Sequence, residues 1–391
     1  MQALTPTQAA LIARGVYQLR RDDVATLRDH GALLGCEDMF QVDDGARLEG
    51  RSGVLAWKKL SGFGYIAIGV GAHAGEMLVV NRGTAMLADW CSNLNGAMQL
   101  GPSGYLVHAG FNEVWKTYKD GLHSFLANRN PSRIHCVGHS LGGALATLNA
   151  DYFNRNGVAQ VLLYTFGAPR SGDVFHARSL TQRIGAAQIF RVSHRADPVP
   201  KIPLFPFFHL PSDRQGLEFG DGLFSVGAHN MVGSYIPAMR DRSWATLACG
   251  ATAAGDAQVR SWLEGAASGE GRSGIGGMLL MGSSALLLMI GRALRWLLAR
   301  ARDLLAGSMG LALTPSATIL DQLAWLLCRG ASLAREIGEQ VKGLMSAILR
   351  FLGRKLPATA DVSVAFVRWV LGLLYSALQA TAQRAIAPFL S

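Results

Sequence analysis

The chain has 391 residues, half of them hydrophobic and only 16% charged, with a formal net charge of +10. That length allows more than one folded region, and the apolar content is ample for a core. Basic clusters interleaved with exposed aromatics are absent, so the charge points to an anionic membrane surface and away from nucleic acid. From residue 271 onward thirteen Lys and Arg stand against five Asp and Glu, so most of the excess lies in the last third. The five cysteines are odd in number, far apart and without metal-ligand spacing, which argues against a disulfide framework.

Residues 1 to about 60 read as helical and then irregular. Gln8 to Asp29 has the pattern of an amphipathic helix with Arg14, Arg20 and Arg21 outward, and it lacks the apolar run of a signal peptide. Phe63 to Val70 and Glu76 to Asn81 read as strands joined by a Gly-rich turn at 71–75. A helix is expected from Asn112 to Asn128, stopped before Pro131. Val161 to Phe166 and Ile189 to Val192 are further β-rich runs, with a helix around 173–184 between them. Strands alternating with helices predict an α/β fold with a mostly parallel sheet. The segment 198–212 carries five prolines and reads as a loop, and 250–274 turns Ala/Gly/Ser-rich like a linker.

The most informative stretch runs from Ile134 to Ala146: an apolar strand, the turn Gly138-His139-Ser140-Leu141-Gly142, then a small-residue helix. A strand before and a helix after make the Gly-x-Ser-x-Gly pattern a nucleophile elbow, which lifts a serine hydroxyl above the strand ends. Ser140 needs a base to take its proton and an acid to orient that base. Asp197 is the acid expected, because it sits just past the run 189–192, where the carboxyl edge of a parallel sheet lies. Asp173, Asp213 and Asp221 are less well placed. For the base the candidates are His229 and His209. His229, on a loop entering a helix, is preferred, and His209 reads as a packed or cleft residue. His139 points away from the base position on so tight a turn, which leaves it local hydrogen bonding. The Leu141 backbone N–H, at a helix start, is one expected oxyanion donor, and the Thr84 N–H on the loop after 76–81 is the other.

Taken together these motifs resemble the class 3 lipase family, the α/β-hydrolases typified by filamentous-fungal triacylglycerol lipases. The resemblance rests on Val79 to Thr84, Asp89-Trp90, Val107 to Phe111, Gly138 to Gly142, Thr165 to Arg170 and Arg191 to Pro203, in family order over about 63–240. It implies a lipid or ester hydrolase with triad Ser140, Asp197 and His229, oxyanion donors Thr84 and Leu141, and no metal or organic cofactor. Asn81 stands where the family usually has Phe, and the spacing from Asp197 to His229 is short for it. In the family a lid helix follows the oxyanion loop; here that places Met86, Leu87 and Trp90 in an apolar lid. The other reading of these three is static core. His108 is expected to be structural.

The tail allows three readings. Residues 273–291 hold no charge over a length that could span a membrane, and Arg292, Arg295, Arg300 and Arg302 follow. A second apolar run, Leu304 to Leu320, contains Pro315, and a third, Trp369 to Gln383, is short for a span. Between them Leu333, Ile337, Val341, Leu344, Ile348 and Leu352 share one helical face. The tail is therefore a helical hairpin entering the bilayer, a surface-binding segment or a soluble bundle.

The expected organisation is a helical lead-in at 1–60 packed on the hydrolase, an α/β-hydrolase domain at 61–250, a linker at 251–274 and an all-helical, apolar and basic domain at 275–391. Its partners would be lipid substrate and a membrane surface. A hydrolase with such a tail and no signal peptide is similar to bacterial type VI secretion lipase effectors. That implies a bacterial protein that is membrane-associated or exported by another route, with an immunity protein or a secretion apparatus as partner. The rival readings are a toxin that inserts through its tail and a soluble esterase with an oligomerising tail.

Overall fold

The structure is a computed structural model and describes residues 3–18, 35–52, 59–83, 98–203, 206–212, 216–220, 225–247, 256–267, 284–305, 319–356 and 361–386. Apolar alternation builds its centre. In strand β3 (Glu76–Asn81), Met77 and Val79 join one hydrophobic cluster while Leu78 and Val80 join the other, as a strand buried on both faces requires. Strands β1 (Phe40–Ser52) and β2 (Lys59–Gly69) precede it, and a small hairpin follows, β4 (Met98–Leu100) with β5 (Leu106–His108). Strands β6 (Arg133–His139), β7 (Gln160–Phe166), β8 (Ile189–His194) and β9 (Leu217–Phe219) complete a seven-stranded sheet of order β1-β2-β3-β6-β7-β8-β9. The pairings β1–β2 and β2–β3 are antiparallel, and those from β3 through β9 are parallel.

Helix α1 (Pro6–Gly15) starts with a capping box on Thr5 and lays Ala9, Ala10, Ile12 and Ala13 on one face of the sheet. Helices α2 (Ala109–Leu126), α3 (Leu141–Arg155) and α4 (Val174–Ile184) cover the other face. This mostly parallel sheet between helices is the α/β-hydrolase fold.

Beyond residue 255 every described element is helical: α5 (Asp256–Ala267), α6 (Ser284–Leu305), α7 (Ile319–Leu333), α8 (Arg335–Phe351) and α9 (Val364–Ile386). They pack on one another, and their buried residues run continuously into the α2–α3 side of the hydrolase core. In α8 the stripe Ile337, Val341, Leu344 and Ile348 is fully buried, which is the bundle arrangement of that amphipathic face.

Several elements differ from the sequence reading. Residues 40–52, expected to be irregular, form β1; Gln41, Asp43, Asp44 and Glu49 hide a strand whose existence depends on pairing with β2. The first helix is shorter than 8–29, since α1 ends at Gly15 in a 3-10 turn, Val16–Gln18. Most of the uncharged stretch 273–291 and the middle of the run 304–320 lie outside the described residues. The run 369–383, expected to be too short, is instead part of α9. Among the described residues α9 is the helix long and apolar enough to cross a membrane.

Candidate active site

Ser140 follows the last residue of β6 and takes φ 57°, ψ −134° as the N-cap of α3. A non-glycine residue at positive φ is strained, and strain of this kind collects at functional sites. The turn closes only because Gly142 has no side chain; a Cβ there would strike the backbone of Asn81 and Arg82 on the loop leaving β3. The turn is thereby pressed against that loop. A Cβ on Gly83 would lie 3.3 Å from Ser140 Cβ and 3.5 Å from the Leu141 nitrogen. Leu141 is the first residue of α3, whose N–H a helix leaves without an internal acceptor.

The structure brings Ser140, His229 and Asp197 into one hydrogen-bonded chain. Ser140 Oγ lies 2.8 Å from His229 Nε2, and His229 Nδ1 lies 2.8 Å from Asp197 Oδ2. His229 ends a 3-10 turn, Val226–His229, and Asp197 sits in the turn after β8. All three are buried, with Ser140 2% exposed. Asp197 is held on both oxygens: the Val199 N–H donates to Oδ1 at 2.9 Å and the Tyr235 hydroxyl donates to Oδ2 at 2.6 Å. Burial, then the charge of Asp197, raises the Tyr235 hydroxyl well above its usual range, so it remains a donor. The crossing point of these groups is roofed by Gly167 at φ 56°, where a Cβ would come within 2.8 Å of both Asp197 Oδ2 and Tyr235 Oη.

A second chain of bonds steadies the elbow. His139 Nε2–H donates to the His229 carbonyl at 3.0 Å, and its Nδ1 accepts from the Tyr17 hydroxyl at 2.9 Å. Tyr17 in turn accepts from the Gly83 N–H at 3.3 Å. Burial above all, then the neighbouring His229, lowers the His139 pKa well below the usual histidine value, which keeps the neutral tautomer these bonds require. Tyr17 and Tyr235 carry no recognisable motif, and the sequence reading did not single them out.

The other candidates fall elsewhere. His209 Nε2 donates to the Pro200 carbonyl at 2.7 Å, and burial with Arg191 and Arg170 nearby holds it neutral. Asp173 caps α4 through the His176 N–H at 2.7 Å. His108 caps α2 and packs against Phe111 and Phe207. Thr84, Met86, Leu87 and Trp90, together with Asp213 and Asp221, lie outside the described residues.

The helical region reaches this site. Helix α9 packs on the turn Val226–His229, and its Tyr375 is buried close to Arg170. Arg170 donates to the carbonyls of Lys201 and Pro203, just beyond Asp197. Burial, then Arg295 of α6 and Arg191, lowers its pKa to about 9. The junction therefore holds desolvated cations from both sides.

An elbow serine at the carboxyl edge of a parallel sheet, linked through histidine to an aspartate, has the geometry that a serine-hydrolase site requires. Residues 78–207, about a third of the chain, match the sequence profile of lipase (class 3). It is 35% identical over 151 residues to secreted mono- and diacylglycerol lipase 1 of Fusarium solani, covering 36% of this chain and 44% of that protein. It is 33% identical over 111 residues to toxin TseL of Vibrio cholerae, covering 27% of this chain and 17% of that protein. The chain thus spans less than half the length of these curated relatives. Among solved structures, Lip2 lipase from Yarrowia lipolytica is similar at 20% identity and TM-score 0.43, over 55% of this chain and 76% of that one.

Proposed function

We propose that the protein is a serine lipase or phospholipase that cleaves carboxylic esters of membrane lipids. The observation that carries this reading is the unbroken chain Ser140 Oγ–His229–Asp197 at 2.8 Å and 2.8 Å on a strained elbow. His229 Nε2 takes the serine proton as Oγ bonds to the ester carbonyl carbon, and Asp197 holds the resulting imidazolium. The carbonyl oxygen, now anionic, is met by the Leu141 N–H at the start of α3. The carbon–oxygen bond to the leaving alcohol breaks, and the alcohol takes the proton from His229. Water then repeats the sequence on the acyl-enzyme, with His229 again as base, and frees the fatty acid. The chemistry asks for no metal or organic cofactor.

The helices after residue 255 are read as the membrane-directed part. Helix α9 is 23 residues long with a mean hydropathy of 1.3 in its most apolar window, and its Trp369 and Val364 are exposed. Since α9 also rests on the turn that carries His229, its transfer into lipid would remove a support of that turn. The similarity to toxin TseL supports, as the finer reading, an exported antibacterial effector acting on phospholipid, with an immunity protein as partner.

The test is hydrolysis by the purified chain of phosphatidylethanolamine vesicles and of triacylglycerol emulsions, beside labelling by a serine-reactive phosphonate. Inertness on both lipids with no label on Ser140 overturns the proposal. Retention of membrane damage by Ser140→Ala, lost on deletion of 271–391, would favour insertion by the tail. A soluble esterase would show no activation at an interface and no partition into detergent.

A further inference from the structure

At the amino end of the same parallel strands, away from Ser140, lies a second polar cluster. His73 from the turn Gly71–His73, Glu76 opening β3 and His135 in β6 are all buried. His73 Nδ1 is 2.7 Å and His135 Nε2 is 2.8 Å from the same oxygen, Glu76 Oε2, and the three atoms lie within 4.8 Å of one another. Two imidazoles converging on one carboxylate oxygen place three donor atoms around a point. Two nitrogens and one oxygen are the donor set that zinc accepts in tetrahedral sites with one open position.

We propose that His73, Glu76 and His135 form a binding site for one zinc ion. The outer groups needed to hold such ligands are present. Arg133 donates to the other carboxylate oxygen, Glu76 Oε1, at 3.0 Å and to Gln160 at 3.0 Å, which orients Glu76 and leaves Oε2 for the ion. The Tyr164 hydroxyl stands 3.3 Å from His135 Nδ1, and Phe40 packs at 5.0 Å and 5.7 Å from the two rings. Supports of this kind fix the ring orientation of metal-bound histidines. On binding, each ring carries its proton on the nitrogen turned away from the ion; in His135 that is Nδ1, facing the Tyr164 oxygen. His73, on the turn, is the ligand nearest solvent, and a water can take the fourth position from that side.

The site stands apart from the Ser140 chain. His135 and Ser140 are five residues apart along an extended strand, on the order of 16 Å. Zinc would clamp the turn before β3 onto β6, and through Tyr164, which accepts from the Leu4 N–H at 3.1 Å, would brace the segment leading into α1.

The test is direct titration of the purified full chain, stripped with chelator, with Zn2+ and with Mg2+ as control. Saturation at one zinc per chain, a raised unfolding midpoint and unchanged hydrolysis of a soluble ester are expected. Co2+ should give the visible absorption of a tetrahedral site. Glu76→Gln and, at the more accessible position, His73→Gln should each weaken zinc binding by more than the roughly 10–100-fold that loss of an outer partner costs. Retained ester hydrolysis shows that the variants are folded. No zinc taken up by the unaltered chain, or folded variants that bind it as tightly, overturns the proposal.

Discussion

Tyr17 and His139 share a 2.9 Å hydrogen bond that joins the N-terminal segment to the residue beside Ser140. Through the same hydroxyl Tyr17 accepts the Gly83 N–H, so one phenol links the elbow to the loop leaving β3. Tyr17→Phe keeps the ring and removes both links. A lost hydrogen bond of about 1–1.5 kcal/mol predicts kcat about tenfold lower on a soluble ester, with KM little changed. Steady-state kinetics decide it, and an unaltered kcat would leave the linkage without a part in positioning.

The Asp197 carboxylate offers a graded pair of substitutions. Asp197→Asn alters the tautomer of His229 and should lower kcat on the order of 10⁴-fold. Tyr235→Phe leaves the charge and removes only one donor, so a loss nearer tenfold is expected. Equal losses in the two variants would mean that Tyr235 does more than orient the acid.

Acid stability follows from His139. Its folded pKa is depressed, so the unfolded chain binds a proton that the folded chain refuses once the pH drops below about 6.5. The stability it contributes is complete above that value and declines as pH falls toward the depressed folded pKa, by about 1.4 kcal/mol per pH unit for this one group. Urea unfolding at pH 7 and pH 5 should show the decline, and His139→Gln should flatten its slope by one proton's worth.

On α9 the exposed Trp369 is the side chain to change for membrane contact. Burying such a ring in lipid is worth about 1.5–3 kcal/mol, so Trp369→Ala should weaken vesicle binding roughly 10–100-fold. Hydrolysis of a soluble ester should not change. Vesicle sedimentation measures the first effect, and equal binding by both forms would remove Trp369 from the interface.

The central strands and the elbow were legible because buried parallel strands are nearly continuous apolar runs and because a Gly-x-Ser-x-Gly turn has a demanding backbone. β6 and α3 could be read directly from Ile134 to Ala146 for that reason. β1 was not legible, since an edge strand with Asp43, Asp44 and Glu49 offers little alternation and owes its form to the register with β2. Tyr17 and Tyr235 were hidden for another reason. Tyr17 meets His139 across 122 positions and Tyr235 meets Asp197 across 38, and no local pattern encodes a contact that only tertiary packing creates. The same holds for His135 and Glu76, 59 positions apart. In the tail, periodicity identified the amphipathic face of α8, while the extent of α9 was underestimated because Arg368 interrupts the apolar run near its start.

Gly167 shows where a search for chemistry-bearing side chains fails. It has no side chain to donate, accept or titrate, yet the acid Asp197 and two of its partners, Tyr235 and His229, meet in the space its absent side chain leaves. An alanine there would leave Ser140, His229 and Asp197 all in the chain and still force their alignment apart. Position 167 is therefore a means of switching off the proposed hydrolysis without touching a reactive atom. Such a silent form would separate effects of lipid contact from effects of lipid cleavage.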